Sequence, residues 1–264
     1  MKLVTTLTQS NEAHPPLVLI HGLGSAATAF KPITPMLSQS FRVITVDLPG
    51  HGQSPLDSTQ AMDPKSLGRA IFDTIESEYA ITQYHVAGNS LGGWIALEMA
   101  ADQPQRIKTL TGLAPAGLWL QPASRRLPNQ AQSYYMAKAL KPFIKSGLHL
   151  SAMRKIGYST VSPKWQELSY EICYDAAYAM GNAKGYFSAW DGMLGKRFDD
   201  QVPVSIPVTI LFGDTDNTLP YPDSQERSLA PAHSSWLVID NCGHAPMWDH
   251  PDLIVKIINE TTAR

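Results

Sequence analysis

Six short runs rich in Val, Ile and Leu recur along this chain: LVLIHG from Leu17, RVITVD from Arg42, YHVAGNS from Tyr84, IKTLTGLAP from Ile107, VTILFGD from Val208 and WLVIDNCGH from Trp236. They lack the polar alternation of a half-exposed strand, so each reads as a strand covered on both faces, the condition of a mostly parallel sheet. Longer stretches of helical character separate them. PKSLGRAIFDTIESEY is one, and Leu253, Ile254, Ile257 and Ile258 after Pro251 make the apolar stripe of another. Strand and helix in alternation predict an α/β fold with a mostly parallel, doubly wound sheet. A chain of 264 residues, 44% of them hydrophobic, is long enough to bury that sheet in one core domain.

The rhythm breaks between Gly117 and Asp200. That stretch has no comparable β-branched run and is instead rich in aromatic residues, among them Trp119, Tyr134, Tyr186 and Trp190. It reads as a helical cap, residues 117–200, inserted between the sixth and seventh core strands, with residues 1–116 and 201–264 forming the core. Proline-rich points at 122–128 and 203–207 read as its joints.

Lys and Arg number 21 against 23 Asp and Glu, a net charge of −2. This balance implies no basic surface overall, so neither nucleic acid nor membrane is expected as a partner. Cys173 and Cys242 are far apart and lack metal-ligand spacing, so free thiols in a reducing compartment are expected, with no metal. The opening MKLVTTLTQSNEAHPP contains no apolar run of signal-peptide length, and no later segment reaches the ~18 apolar residues of a membrane span. A soluble cytoplasmic protein acting on a small molecule is the expectation; the sequence leaves its oligomeric state open.

Gly88-Asn89-Ser90-Leu91-Gly92 has the form G-x-S-x-G, between the strand-like YHVAG and the helix-like LGGWIALEMAADQ. In so sharp a turn the serine backbone is strained, small neighbours are required, and the hydroxyl is pushed out above the sheet. A serine becomes a useful nucleophile only when a histidine takes its proton and an acid orients that histidine. NCGHAPMWDHP supplies His244 just past the last strand, and LFGDTDNTLP supplies two acids, Asp214 and Asp216. An oxyanion needs backbone donors. Leu91, at the start of a helix, offers one; Leu23, in HGLGS after the first buried strand, offers the other.

Five motifs in order, HGLG, DLPGHGQS, GNSLGG, GDTDNTLP and GHAPMWDHP, resemble the α/β-hydrolase superfamily along essentially the whole core. The resemblance implies a Ser90, Asp216, His244 triad, an oxyanion hole at the Leu23 and Leu91 N–H groups, and a cap from residues 117–200. Asp216 is selected because in family members the acid sits third after the glycine with a proline four residues on, here Pro220. His21 and His51 are read as holding loop geometry, Asp47 as a turn residue and Cys242 as a small buried hydrophobe. Trp248 and Met247, close behind His244, and Trp119 are candidate substrate contacts.

Epoxide hydrolases and haloalkane dehalogenases of this superfamily would require aspartate at position 90. Serine leaves acyl transfer to water, and the apolar, aromatic cap favours esters or thioesters of small to medium, mostly apolar substrates, with no cofactor. Three other readings stay open. GNSLGG also resembles carbon–carbon hydrolases of ring-fission products, although those carry Trp after the histidine where Ala245 stands. A perhydrolase or acyltransferase is chemically adjacent, and a hydrolase-fold receptor is the non-catalytic reading.

Overall fold

The computed structural model describes residues 3–8, 11–126 and 128–264, the side chains of 128–130 excepted. The strands are β1 (Val4–Leu7), β2 (Pro16–Ile20), β3 (Arg42–Asp47), β4 (Tyr84–Asn89), β5 (Ile107–Leu113), β6 (Val208–Gly213) and β7 (Ser235–Ile239). They form one seven-stranded sheet in the order β1-β3-β2-β4-β5-β6-β7. Every pairing is parallel except that of β1 with β3. The absence of polar alternation has a direct physical cause. Leu17 and Leu19 of β2 enter one buried cluster, while Val18 and Ile20 enter another on the opposite face. A polar residue at either parity would have to be buried.

The helices are α1 (Thr34–Leu37), α2 (Pro64–Tyr79), α3 (Leu91–Asp102), α4 (Pro128–Leu140), α5 (Ile144–Gly147), α6 (Ser151–Tyr158), α7 (Tyr170–Asn182), α8 (Tyr186–Met193), α9 (Pro246–Asp249) and α10 (Pro251–Thr262). Helix α2 starts where its sequence says it should: the Asp63 carboxylate accepts from Ser66 N–H at 3.2 Å and Pro64 occupies the first turn. It ends at Ala80 in the left-handed region, φ 55°. Leu67, Ile71, Phe72 and Ile75 line its buried face. Helix α3 is different, because Leu91 to Ala100 are all buried, which places it against the middle of the sheet with the nucleophile-like turn at its head.

Helices α4 to α8 lie between β5 and β6, and no strand occurs among the described residues of 117–200. The insertion therefore follows the fifth strand, one earlier than the sequence count. Ahead of β2 the described residues contribute only one strand, the short antiparallel β1, so the strand count before the insertion is lower than expected while the fold class is unchanged. None of the helices formed by the described residues is long and apolar enough to cross a membrane.

Candidate active site

Ser90 sits between the end of β4 and the start of α3 with φ 56° and ψ −119°, a strained conformation for a residue with a side chain. Its neighbours make the turn possible. A Cβ on Gly92 would lie 2.0 Å from the Ile20 carbonyl oxygen, so only glycine lets α3 approach β2 this closely. On the other side of Ser90 is Gly22, where an added Cβ would lie 3.0 Å from the Ser90 Cβ. The loop after β2 thus abuts the serine.

That loop has a defined peptide orientation. Leu48 N–H donates to His21 Nε2 at 3.0 Å, which leaves the proton of the neutral ring on Nδ1, and Nδ1–H donates to the Gly22 carbonyl at 2.7 Å. Ser25 N–H donates to the same carbonyl at 3.2 Å. A trans peptide points its C=O and N–H in opposite directions, so holding the Gly22 oxygen aims the Leu23 N–H the other way. Among the described residues neither the Leu23 nor the Leu91 N–H has an acceptor.

His21 and His51 are wholly enclosed, with ring centroids 5.5 Å apart. Burial pulls their pKa values down to about 4 and about 3, so both are neutral at ordinary pH. Asp47 beside them accepts from Ala27 N–H at 2.8 Å and Gln53 N–H at 2.9 Å, tying two loops to the end of β3.

His244 follows β7. Its Nδ1 lies 2.8 Å from Asp216 Oδ2, the geometry of an imidazole N–H donating to a carboxylate. The other oxygen of Asp216 accepts from the N–H groups of Thr218 and Leu219 at 2.9 and 2.8 Å, and the side chain is fully enclosed. Asp214, by contrast, is exposed and accepts from Cys242 N–H at 3.2 Å. Burial and partner separate these two acids, which stand only two residues apart. Cys242 is buried, and desolvation with three nearby carboxylates pushes its thiol well above the usual range. Both cysteines are free.

The main chain of His244 is fixed from two sides. Its N–H donates to the Val161 carbonyl of the insertion at 2.7 Å, and its C=O accepts from the Asn89 side chain at 2.9 Å. Next to it, Gly243 N–H donates to Asp249 Oδ2 at 2.7 Å, and Ser162 Oγ donates to the other oxygen of that buried carboxylate. Sequence reasoning missed Asn89, Ser162 and Asp249. Asp249 carried a faint signal, an acid five residues after a histidine in an otherwise apolar stretch.

The three candidate substrate contacts are engaged in packing. Met247 is buried in the cluster that holds Leu17, Phe30 and Ala87. Trp248 bridges that cluster and one in the insertion, and its indole donates to the Ala29 carbonyl at 3.0 Å. Trp119 stands edge-on to Trp94 and donates to the Lys196 carbonyl at 2.8 Å. The residues directly over the Leu23 loop come instead from α7 and α8: Gly24, at φ +73°, has no room for a Cβ beside Met180 and Tyr186.

The family model described as alpha/beta hydrolase fold matches residues 15–251. A pimeloyl-[acyl-carrier protein] methyl ester esterase of Legionella pneumophila (strain Lens) is 27% identical over 259 residues, covering 93% of this chain and 94% of the relative. A protein of the same name from Aeromonas hydrophila is 26% identical over 252 residues, covering 92% and 94%. Among solved structures, a hydrolase from Pseudomonas aeruginosa PA01 superposes with a TM-score of 0.74 at 18% identity, over 99% of this chain and 94% of that one, a likeness of fold.

Proposed function

This chain belongs to the alpha/beta hydrolase fold family, and from that premise we propose that it is a serine hydrolase of carboxylic esters, with Ser90, His244 and Asp216 as its triad. The observation that carries the reading is the 2.8 Å approach of His244 Nδ1 to the enclosed Asp216 carboxylate, on a loop bonded to the residue preceding Ser90. Held in that way, the far imidazole nitrogen is free to act as base while Asp216 stabilises the cation that forms.

Ser90 Oγ attacks the ester carbonyl carbon as His244 takes its proton. The developing oxyanion meets the N–H groups of Leu23 and Leu91, the latter at a helix N-terminus where the dipole favours negative charge. Collapse expels the alcohol, protonated by His244, and leaves an acyl group on Ser90. Water then attacks the acyl-enzyme with the same histidine as base, releasing the acid and restoring Ser90. The relatives named as methyl ester esterases support a small alcohol as leaving group. The apolar and aromatic side chains of Met180 and Tyr186 over the Leu23 loop support a mostly apolar acyl group of small to medium size.

The test is labelling by a fluorophosphonate beside turnover of p-nitrophenyl esters of increasing acyl length, with Ser90→Ala as control. Labelling at Ser90 with multiple turnovers is expected. Labelling without turnover of any ester would move the reading to carbon–carbon cleavage, acyl transfer or a receptor, and no labelling would remove the activated serine.

A further inference from the structure

Ten of the 21 Lys and Arg lie between residues 103 and 166, and none of the 23 Asp and Glu does. The net charge of −2 therefore conceals a strong segregation, with the acids on the rest of the chain. Some of these cations are used internally: Arg106 pairs with Glu76, Arg126 with Asp191, and Lys164 donates to the Asp249 carbonyl. Lys141, Lys145 and Lys155 are exposed and, among the described residues, have no carboxylate within ion-pair distance, although Lys141 donates to Asn182 Oδ1 and lies over the Tyr178 ring.

The same segment carries large apolar side chains turned outward. Ile144, Leu148 and Tyr158 face inward, packing on Leu168 and Cys173. Phe143, Leu150 and Ile156 are left 64%, 61% and 57% exposed, interleaved with the three lysines. An isolated exposed apolar residue is ordinary; three such tips within residues 143–156, among lysines that have no carboxylate partner, are not.

We propose that the outer face of residues 141–156 docks on an anionic phospholipid surface, with Phe143, Leu150 and Ile156 entering the headgroup layer and Lys141, Lys145 and Lys155 meeting lipid phosphates. Two features favour lipid over an acidic protein. The exposed cations of residues 141–156 are lysines, which protein interfaces disfavour while enriching arginine. Protruding Phe, Leu and Ile beside lysine is the composition of surfaces that settle into a bilayer interface. The acid-rich remainder of the chain is repelled by the same lipids and would orient the molecule with this face forward. This inference does not depend on the chemistry at Ser90.

The experiment is sedimentation of the full chain with vesicles of phosphatidylcholine alone and of phosphatidylcholine mixed with phosphatidylglycerol, at low and high ionic strength. Binding is expected only to the anionic vesicles, and weaker at high salt. Lys145→Gln with Lys155→Gln should lower the partition coefficient by about fivefold per lysine, and Phe143→Ser with Ile156→Ser by about tenfold or more. All four sites are exposed, and unchanged thermal unfolding midpoints would show that the variants remain folded. Equal binding to neutral vesicles, or variants that partition like wild type, would overturn the proposal. So would absence of vesicle binding, including a case in which an acidic protein is bound instead.

Discussion

The side-chain amide of Asn89 donates to the main-chain carbonyl of His244 at 2.9 Å and to that of Leu113 at 3.0 Å. One buried amide thus joins the turn before Ser90, the neighbouring strand end and the histidine loop. The opposite edge of His244 is held by the Val161 carbonyl, so a core strand and the segment between α6 and α7 share the positioning of one residue.

Replacing Asn89 by alanine leaves the buried His244 carbonyl without a donor, while the Leu113 carbonyl keeps the Ser90 N–H at 3.0 Å. The unpaired carbonyl costs about 1–3 kcal/mol unless the loop moves to find water. The expected result is a lower unfolding midpoint together with a fall in kcat larger than any change in KM. Asn89→Asp should be worse, because a carboxylate would face two carbonyl oxygens. Thermal melts and steady-state kinetics on both variants check this, and an aspartate variant as stable as wild type would contradict it.

Ser90 holds a φ of 56°. For a residue with a Cβ this costs of order 1–3 kcal/mol, offset in a glycine variant by about 0.5–1 kcal/mol of backbone entropy. Ser90→Gly should therefore raise the unfolding midpoint while lowering ester hydrolysis by at least about 10³-fold. Ser90→Ala should lose the same activity without the gain in stability, since it keeps the Cβ. A melt of the two variants side by side separates strain from chemistry.

The core elements were legible because their signals are local. Burial on both faces removes alternation from β2 to β6, and Asp63-Pro64 and Pro251 mark helix starts within a few residues of the apolar stripes they introduce. The ties around the candidate site were not legible. Asn89 and His244 are 155 residues apart and Ser162 and Asp249 are 87 apart, and tertiary packing, which no periodicity records, brings each pair together. For Asp214 and Asp216 the family spacing points to one acid, but the environments that distinguish them are not written in the sequence. Both follow β6, and only the fold encloses one and exposes the other. The charge segregation was present in the sequence from the start and was lost by adding the charges together.

Asp216→Asn places an amide where a carboxylate meets the His244 ring and two backbone N–H groups. The amide can no longer both accept from the ring and stabilise its cation, and it disfavours the needed tautomer. A comparable change in a serine protease triad costs about 10⁴ in kcat, and a loss of about 10³–10⁴-fold is expected here. Asp214→Asn keeps an oxygen for Cys242 N–H at an exposed position and should stay within about tenfold of wild type. The reverse order in kcat would reassign the acid.

His21 and His51 give stability a pH dependence with a definite sign. Burial lowers their pKa values from 6.5 to about 4 and about 3. Between those limits the unfolded chain binds protons that the folded chain refuses. Their contribution is complete above about pH 6.5 and falls with pH by about 1.4 kcal/mol per unit for each histidine. Burial acts oppositely on Glu98 and Asp249, raising both carboxyls, so these acids return part of the loss in the acid range. The unfolding free energy from denaturant titrations should therefore decline from pH 7 toward pH 5. In His51→Asn the amide can still donate to the Pro49 carbonyl that His51 Nδ1 now meets at 2.9 Å. That variant should lose roughly one proton's worth of slope, while His21 and His85, whose pKa burial also lowers to about 4, supply the remainder. A slope unchanged by the substitution would mean that His51 titrates in the folded protein as it does in the unfolded chain.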